Sequence, residues 1–447
     1  MLVALFAVLF LLLAYGLHRI LSHQTSLLYQ ILHQNIFNTL QLARLIGPPN
    51  PNDPLTVPNP APASNFTSNA PIAQEMASQR IDYHRSIIDF SYAGPKLELE
   101  DRLRLRALAN SRLVKAFGIE TSLTSSSVSV HKEFRKLASA SINKSNADWQ
   151  KLYGVAMEVL QEETAYKSIV PLGQTARCLC FVVVLVSQFG VAENKIDRNR
   201  VKLITDEINE QWLRSKVSDG TLRRSKKLSE YLHTMFEDPE TSILKGTATS
   251  ISSTQALGLI MPQYETLWRV VLLTYVTAYH RQADRRKLKK RVKDVPACLG
   301  NAATEKEALK LAMEGLRLYP SNNSIYRAVP GSEPPVLVSA DVQASHRDVE
   351  VWGFDALKFR PERFSKLTPL QEKAYFPFSS GSHKCPAFGG FGNRMVTILV
   401  VAMGRALSPE IGKLNFRDAR LDSETDITLP TGRDEMEKWS WDVIRIS

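Results

Sequence analysis

Apolar residues recur at three-to-four spacing over residues 98–117, 131–142, 147–160, 200–216, 255–280 and 304–318, with turn-forming residues between the runs. That period puts one apolar stripe on a helix, so the pattern predicts a mainly α protein. Strand-like segments are few and short, 336–339 among them, and no internal repeat is present. The N-terminal pattern is different. Leu2 to Leu17 carry no charge, and at about 1.5 Å rise per residue they reach roughly 25 Å, enough to cross a thin bilayer core. No basic residue precedes this run and no small-residue cleavage site follows it; His18 and Arg19 come next. The segment therefore reads as an uncleaved transmembrane helix, with residues 1–19 as the anchor and the body on the cytosolic side. Leu27, Leu28, Ile31, Leu32, Ile36 and Leu40 then mark an amphipathic helix, lying on the bilayer or on the body. Eight prolines between Pro48 and Pro71 make the end of the 20–71 segment a stiff linker. The globular body is expected over 72–447.

Composition sharpens this picture in two places. Lys plus Arg exceed Asp plus Glu by 56 − 45 = 11, so the surface should attract an acidic partner. The run from Arg281 to Lys293 holds eight basic residues in thirteen. No aromatic residues are interleaved with them, so the run reads as a solvated helix face and no nucleic-acid partner is expected. The chain has four cysteines, with Cys178 and Cys180 in an apolar run, no CxxC pair and no HExxH. A disulfide framework and a multi-ligand zinc site both lack support, which leaves Cys298 and Cys385 as isolated thiols.

Cys385 has an informative setting, Phe376-Pro-Phe-Ser-Ser-Gly-Ser-His-Lys-Cys385-Pro-Ala-Phe, followed by a glycine-rich stretch and an apolar helical pattern from Met395. Pro386 suits the first turn of a helix, where a missing N–H costs nothing. A cysteine there should feel the helix dipole, Lys384 and His383, all favouring thiolate. Gly381 would let the backbone approach a flat ligand, and Phe378 would shield the sulfur. The rival is a buried, inert cysteine.

The spacing Phe-x-x-Gly-x-His-x-Cys-x-Ala resembles the haem-thiolate loop of the cytochrome P-450 monooxygenase superfamily. Two further signatures stand in the family's order: Glu314-Gly-Leu-Arg317 resembles its E-x-x-R helix, and Pro361-Glu-Arg-Phe364 its P-E-R-F element. Glu314 and Arg317 are three apart, on one helical face, so with Arg363 they can form a carboxylate shared by two guanidiniums. The resemblance implies that this triad locks the segment leading to the cysteine. It also implies the cytochrome P-450 fold, a helical bundle around haem with small β-sheets, in which Cys385 ligates the iron of haem b (iron protoporphyrin IX). His131-Lys-Glu-Phe-Arg135 resembles the helix that offers its first and last residues to haem propionates; Arg327 and His383 resemble further propionate partners.

The helix over the haem should carry an acid and an alcohol, here Glu265 and Thr266, which the resemblance implies relay protons to dioxygen. The family's small-residue pair is replaced by Pro262-Gln263; Pro262 is expected to kink the helix and free the carbonyl of Gly258. The strands and substrate loop that the family carries ahead of Arg112 have no counterpart in the pattern. Ala116-Phe-Gly-Ile119 and Tyr264-Glu-Thr-Leu-Trp-Arg269 are similar to filamentous-fungal members that decorate secondary metabolites. The resemblance thus implies a lipophilic small-molecule substrate and electrons from NADPH through a reductase or a small haem electron donor. It implies a seat at the endoplasmic reticulum membrane. An acidic reductase would dock on the basic face near Lys132, Arg135, Lys136, Lys384 and Arg394. Two alternatives stand beside oxygen insertion: a haem enzyme of other reaction type (ring closure, isomerase or dehydratase), and a catalytically degraded haem-binding protein.

Overall fold

A computed structural model describes residues 70–94, 97–216, 222–246, 251–282, 288, 292, 295, 302–425 and 427–444. The expected anchor, amphipathic segment and linker lie outside these residues, as do Cys298 and most of the 281–293 basic run. The longer helices are Ala70–Asp89 (α1), Leu99–Ala109 (α2), Ser111–Phe117 (α3), Val128–Ile142 (α4), Asn146–Thr164 (α5), Leu172–Phe189 (α6), Arg198–Arg214 (α7), Lys226–Phe236 (α8), Ser253–Tyr275 (α9), Ala302–Leu318 (α10) and Phe391–Ala406 (α11).

Local chemistry sets many of these boundaries. Ser145 with Asp148 and Ser252 with Gln255 form capping boxes that satisfy the first free N–H groups of α5 and α9. The side chains of Ser127, Asp197 and Ser225 cap α4, α7 and α8. The helix expected over 98–117 breaks at Asn110 into α2 and α3, and Gly118 ends α3 at φ 66°. The stretch expected over 255–280 is α9 followed by a π-helical turn, Val276–His280.

The periodicity does not single out α1, α6 or α8. For α6 the reason is plain: it is apolar nearly all round, so no stripe exists to be read. Among the described residues it is the one helix long and apolar enough to cross a membrane, and 83% of it is buried inside the protein. It is a core helix, packed against α5, α7 and α9. Helix α9 in turn packs on α8, α10 and α11, so the helices bearing Glu265, Glu314 and the sequence after Cys385 share one core. A smaller core joins Ala77, Ile81 and Ile88 of α1 to Trp352 and Phe376.

The strands are short, as expected. Ile169–Pro171 (β1), Gly412–Asn415 (β4) and Ser440–Val443 (β5) form an antiparallel sheet in the order β1-β5-β4, with Val170 and Leu414 both opposite Trp441. Ser324–Ala328 (β2) pairs with Leu337–Asp341 (β3), placing Arg327 opposite Val338. Among the described residues, no strand occurs between Ala70 and Phe117.

Candidate haem-thiolate site

Cys385 stands between two 3₁₀ turns, Gly381–His383 and Pro386–Gly389, and is the N-cap of the second. Its N–H donates to the Phe378 carbonyl at 2.9 Å, and its own carbonyl accepts from the Phe388 N–H at 3.1 Å. Pro386 opens this short turn and not the long helix; Gly390, at φ 108°, separates the turn from α11. The Cys385 side chain is exposed, yet the protein around it pushes the thiol pKa up through burial.

One expectation about this loop needs correction. Lys384 and His383 do not favour the thiolate: the Lys384 ammonium sits 2.9 Å over the Phe388 ring, and burial pushes His383 down to about 3, leaving it neutral. The Ala387 N–H and Arg135 favour the sulfur anion instead. Gly381 is also required by the fold: it turns at φ 66°, and a Cβ there would stand 2.8 Å from the Cβ of Asp89 at the end of α1.

Beside the sulfur, the expected propionate residues come together. The His383 ring lies 5.8 Å from His131 and 5.1 Å from Phe90, over which the Arg327 guanidinium sits at 4.7 Å. Arg135 Nη1 donates to the Lys384 carbonyl at 3.3 Å. The structure adds two arginines from α2 that no motif marks. Arg106 donates to Ser122 Oγ at 2.7 Å, and that oxygen bonds His131 Nδ1 at 2.6 Å. Arg102 donates to Ser382 Oγ at 3.1 Å. Their only sequence signal is the four-residue spacing that puts both on one face of α2.

The electrostatics say what such a cluster requires. Burial pushes Arg106 down to about 9, helped by Arg327 and Arg135; beyond burial, Arg106, Arg327, Arg102 and His131 act on His383. No carboxylate is among the groups acting on Arg106 or Arg327. Both ring nitrogens of His383 and the Nε of Arg102, Arg106 and Arg327 are buried without a partner. Unpaired buried cations cost several kcal/mol each, so the cluster suits a ligand that brings its own carboxylates next to a sulfur donor. A haem with its propionates fits that donor set.

The ion-pair triad assembles behind the loop. Glu314 and Arg317 have fully buried side chains, bonded through Arg317 Nε to Oε2 at 2.7 Å and Nη2 to Oε1 at 2.8 Å. Arg363 Nε is 3.6 Å from Glu314 Oε1, and its terminal nitrogens fork onto Asp355 Oδ1 at 3.1 Å. Asp355 is a member that sequence spacing did not mark. Arg317 Nη1 also donates to the carbonyls of His346 and Ala356, each at 2.7 Å. From this hub the approach to the cysteine is tied down: the Tyr375 hydroxyl donates to Met313 O at 3.1 Å, and the Phe376 N–H to His346 Nε2 at 3.0 Å.

On α9, Glu265 and Thr266 are both engaged. Glu265 Oε2 accepts from Arg433 Nη2, and Arg433 Nη1 donates to Asn209 Oδ1 at 2.9 Å. The Thr266 hydroxyl donates to the carbonyls of Pro262 at 2.7 Å and Gln263 at 3.1 Å. Helix α9 runs from Ser253 to Tyr275 with Pro262 inside it, and proline's missing N–H leaves the Gly258 carbonyl without its usual helical donor. Gly258 is also a packing position: a Cβ there would stand 3.2 Å from Thr121 Cγ2. In the expected docking face, Lys132 and Lys136 are exposed and Arg135 and Lys384 half-buried, while Arg394 is ion-paired with Glu305.

Residues 336–396, which hold the P-E-R-F element and the Cys385 loop, match the family model described as Cytochrome P450. These residues support the cytochrome P450 superfamily. Bifunctional cytochrome P450/NADPH–P450 reductase 1 of Bacillus subtilis is 35% identical over 130 residues, 26% of this chain and 12% of the relative. Benzoate 4-monooxygenase bphA of Aspergillus niger is 39% identical over 72 residues, 13% of this chain and 14% of the relative. Cytochrome P450 CYP749A22 of Panax ginseng is 32% identical over 130 residues, covering 26% and 25%. The chain thus spans a quarter or less of the length of these curated relatives. The ligand-free structure of cytochrome P450 OleT is similar at a TM-score of 0.49 and 14% identity, over 75% of this chain and 84% of that one.

Proposed function

We propose that this chain is a haem-thiolate monooxygenase, anchored at the endoplasmic reticulum membrane and acting on a lipophilic small molecule in fungal secondary metabolism. One observation carries the haem reading: an exposed cysteine whose loop packs against buried Arg106 and Arg327, with no carboxylate among the groups acting on either guanidinium. Held by Cys385, haem would supply the reductive activation of dioxygen. His131, Arg135, Arg327, His383 and Arg106 would pair its propionates, and the Glu314–Arg317–Arg363 hub would hold the loop still. Thr266 would deliver protons, with Glu265 held beside it by Arg433. A reductase partner draws support from the Bacillus relative, whose name joins a P450 to an NADPH–P450 reductase.

The test is the reduced-plus-carbon-monoxide difference spectrum of the purified chain beside Cys385→Ala. The long-wavelength band of thiolate-ligated haem, lost in the variant, is the expected result. A short-wavelength band in both proteins, or no haem, overturns the reading. A second reading, a haem-thiolate enzyme of other reaction type, is favoured by the engagement of both Glu265 and Thr266. Turnover without NADPH and dioxygen would select it.

A further inference from the structure

A second cationic group surrounds Glu265, and it shares no side chain with the first. Arg433 is buried, and its guanidinium lies over Trp212 at 4.7 Å and Trp268 at 5.4 Å. Arg112 stacks on Trp212 as well, at 4.8 Å. Arg269, one turn beyond Glu265 on α9, donates to the Ser321 carbonyl at 2.5 Å. Lys216 completes the group at the exposed end of α7, where Arg433, Arg269 and Arg112 all lower its pKa after burial.

The charges within this group do not balance. Two carboxylates act on it: Glu265, on Arg112 and Arg269 and bonded to Arg433, and Asp434, on Lys216. These four cations and two acids count to a formal +2; Glu437, bonded to Asn209 next to Arg433, is itself paired with Arg177. Hydrogen-bonding capacity is also unspent, since the Nε atoms of Arg433 and Arg269 are buried without a partner. The group grades from buried Arg433 to half-buried Arg112 and exposed Lys216, so an anion can reach it from solvent. Planar guanidinium forks match a carboxylate bidentately, and the half-buried Trp212 indole offers an apolar surface beside them.

We propose that this group is a carboxylate-binding subsite that selects a lipophilic acid as ligand. That the acid is the substrate rests on the monooxygenase reading; that it binds does not. Helix α9 contributes Arg269 and Glu265 to this group and also carries Thr266, one residue past Glu265, so an acid held here lies beside the helix assigned to proton delivery.

The experiment uses the full purified chain and compares dodecanoate with methyl dodecanoate. Binding is read by tryptophan fluorescence, which needs no haem, and by the shift of the haem absorption band. Dodecanoate should bind at least about tenfold tighter than its ester, a margin of one charge-assisted hydrogen bond. Arg112→Gln and Lys216→Gln should abolish the preference while leaving the melting temperature and the carbon monoxide band unchanged; both side chains reach solvent. Raised salt should narrow it. Equal affinity for acid and ester, or a preference that survives in the double variant, overturns the proposal. A fluorescence preference without the thiolate band keeps the subsite and removes the monooxygenase reading; the band without a preference does the reverse.

Discussion

Arg106 does for the Cys385 site what no motif announces. Its guanidinium touches both the carbonyl and the hydroxyl of Ser122, and that hydroxyl orients His131. Removing one charge-assisted partner of a propionate costs about 1.5–3 kcal/mol, or roughly a tenfold to hundredfold change in an equilibrium. Arg106→Gln is therefore expected to lose haem to a scavenging apo-globin about tenfold to a hundredfold faster than the parent chain, with helix content unchanged. An unchanged rate would remove Arg106 from the site. At this scale the sequence was most legible where spacing alone brings partners together, as for Glu314 and Arg317 on one face of α10. It was least legible where partners arrive from distant segments. Asp355, which shares Arg363, and Arg433, which holds Glu265, belong to elements whose approach depends on packing that no local period encodes.

Among the elements, α9 carries the sharpest local conflict. Proline inside a helix removes one hydrogen bond and crowds the carbonyl four residues earlier, at a cost of about 3 kcal/mol, yet α9 continues from Ser253 to Tyr275. Burial against α6, α8, α10 and α11 overrides the penalty, and the Thr266 and Gln263 side chains bond carbonyls on the same stretch. Pro262→Ala restores the N–H, against a loss of unfolded-state restriction of about 0.4–1 kcal/mol. The net expectation is a chain more stable by about 2–2.6 kcal/mol, seen as a melting temperature raised by a few degrees. A raised melting temperature with slower turnover would mark Pro262 as a functional position; a lowered one would show that α9 needs the proline. The same competition explains what periodicity could and could not read. Amphipathic helix α7 advertises its buried stripe, whereas α6 is buried on nearly every side and α8 carries its stripe over only 11 residues.

For the whole molecule, the small core under α1 and the large core around α6 meet at the Glu314 hub, and His346 sits at that seam. It has no exposure to solvent, and burial, then Arg317, push its pKa down to about 3. The neutral ring accepts the Phe376 N–H, while the His346 carbonyl accepts from Arg317. In the unfolded chain the same imidazole titrates near 6.5. Between those values the unfolded state binds the extra proton, so unfolding becomes more favourable as pH falls. The contribution is fully present above about pH 6.5 and is lost at about 1.4 kcal/mol per pH unit below it, or about 2 kcal/mol by pH 5. Against a total stability of about 5–15 kcal/mol, that is a large share for one side chain. Urea midpoints measured from pH 7.5 to about 5 should fall for the parent chain, and fall less steeply for His346→Gln, whose amide keeps an acceptor without titrating. Parallel slopes would place the acid sensitivity elsewhere. Because His346 holds Phe376, nine residues before Cys385, a proton forced onto it loosens the fold and the cysteine loop together. Loss of the Cys385 site should therefore track the unfolding transition on the acid side instead of preceding it.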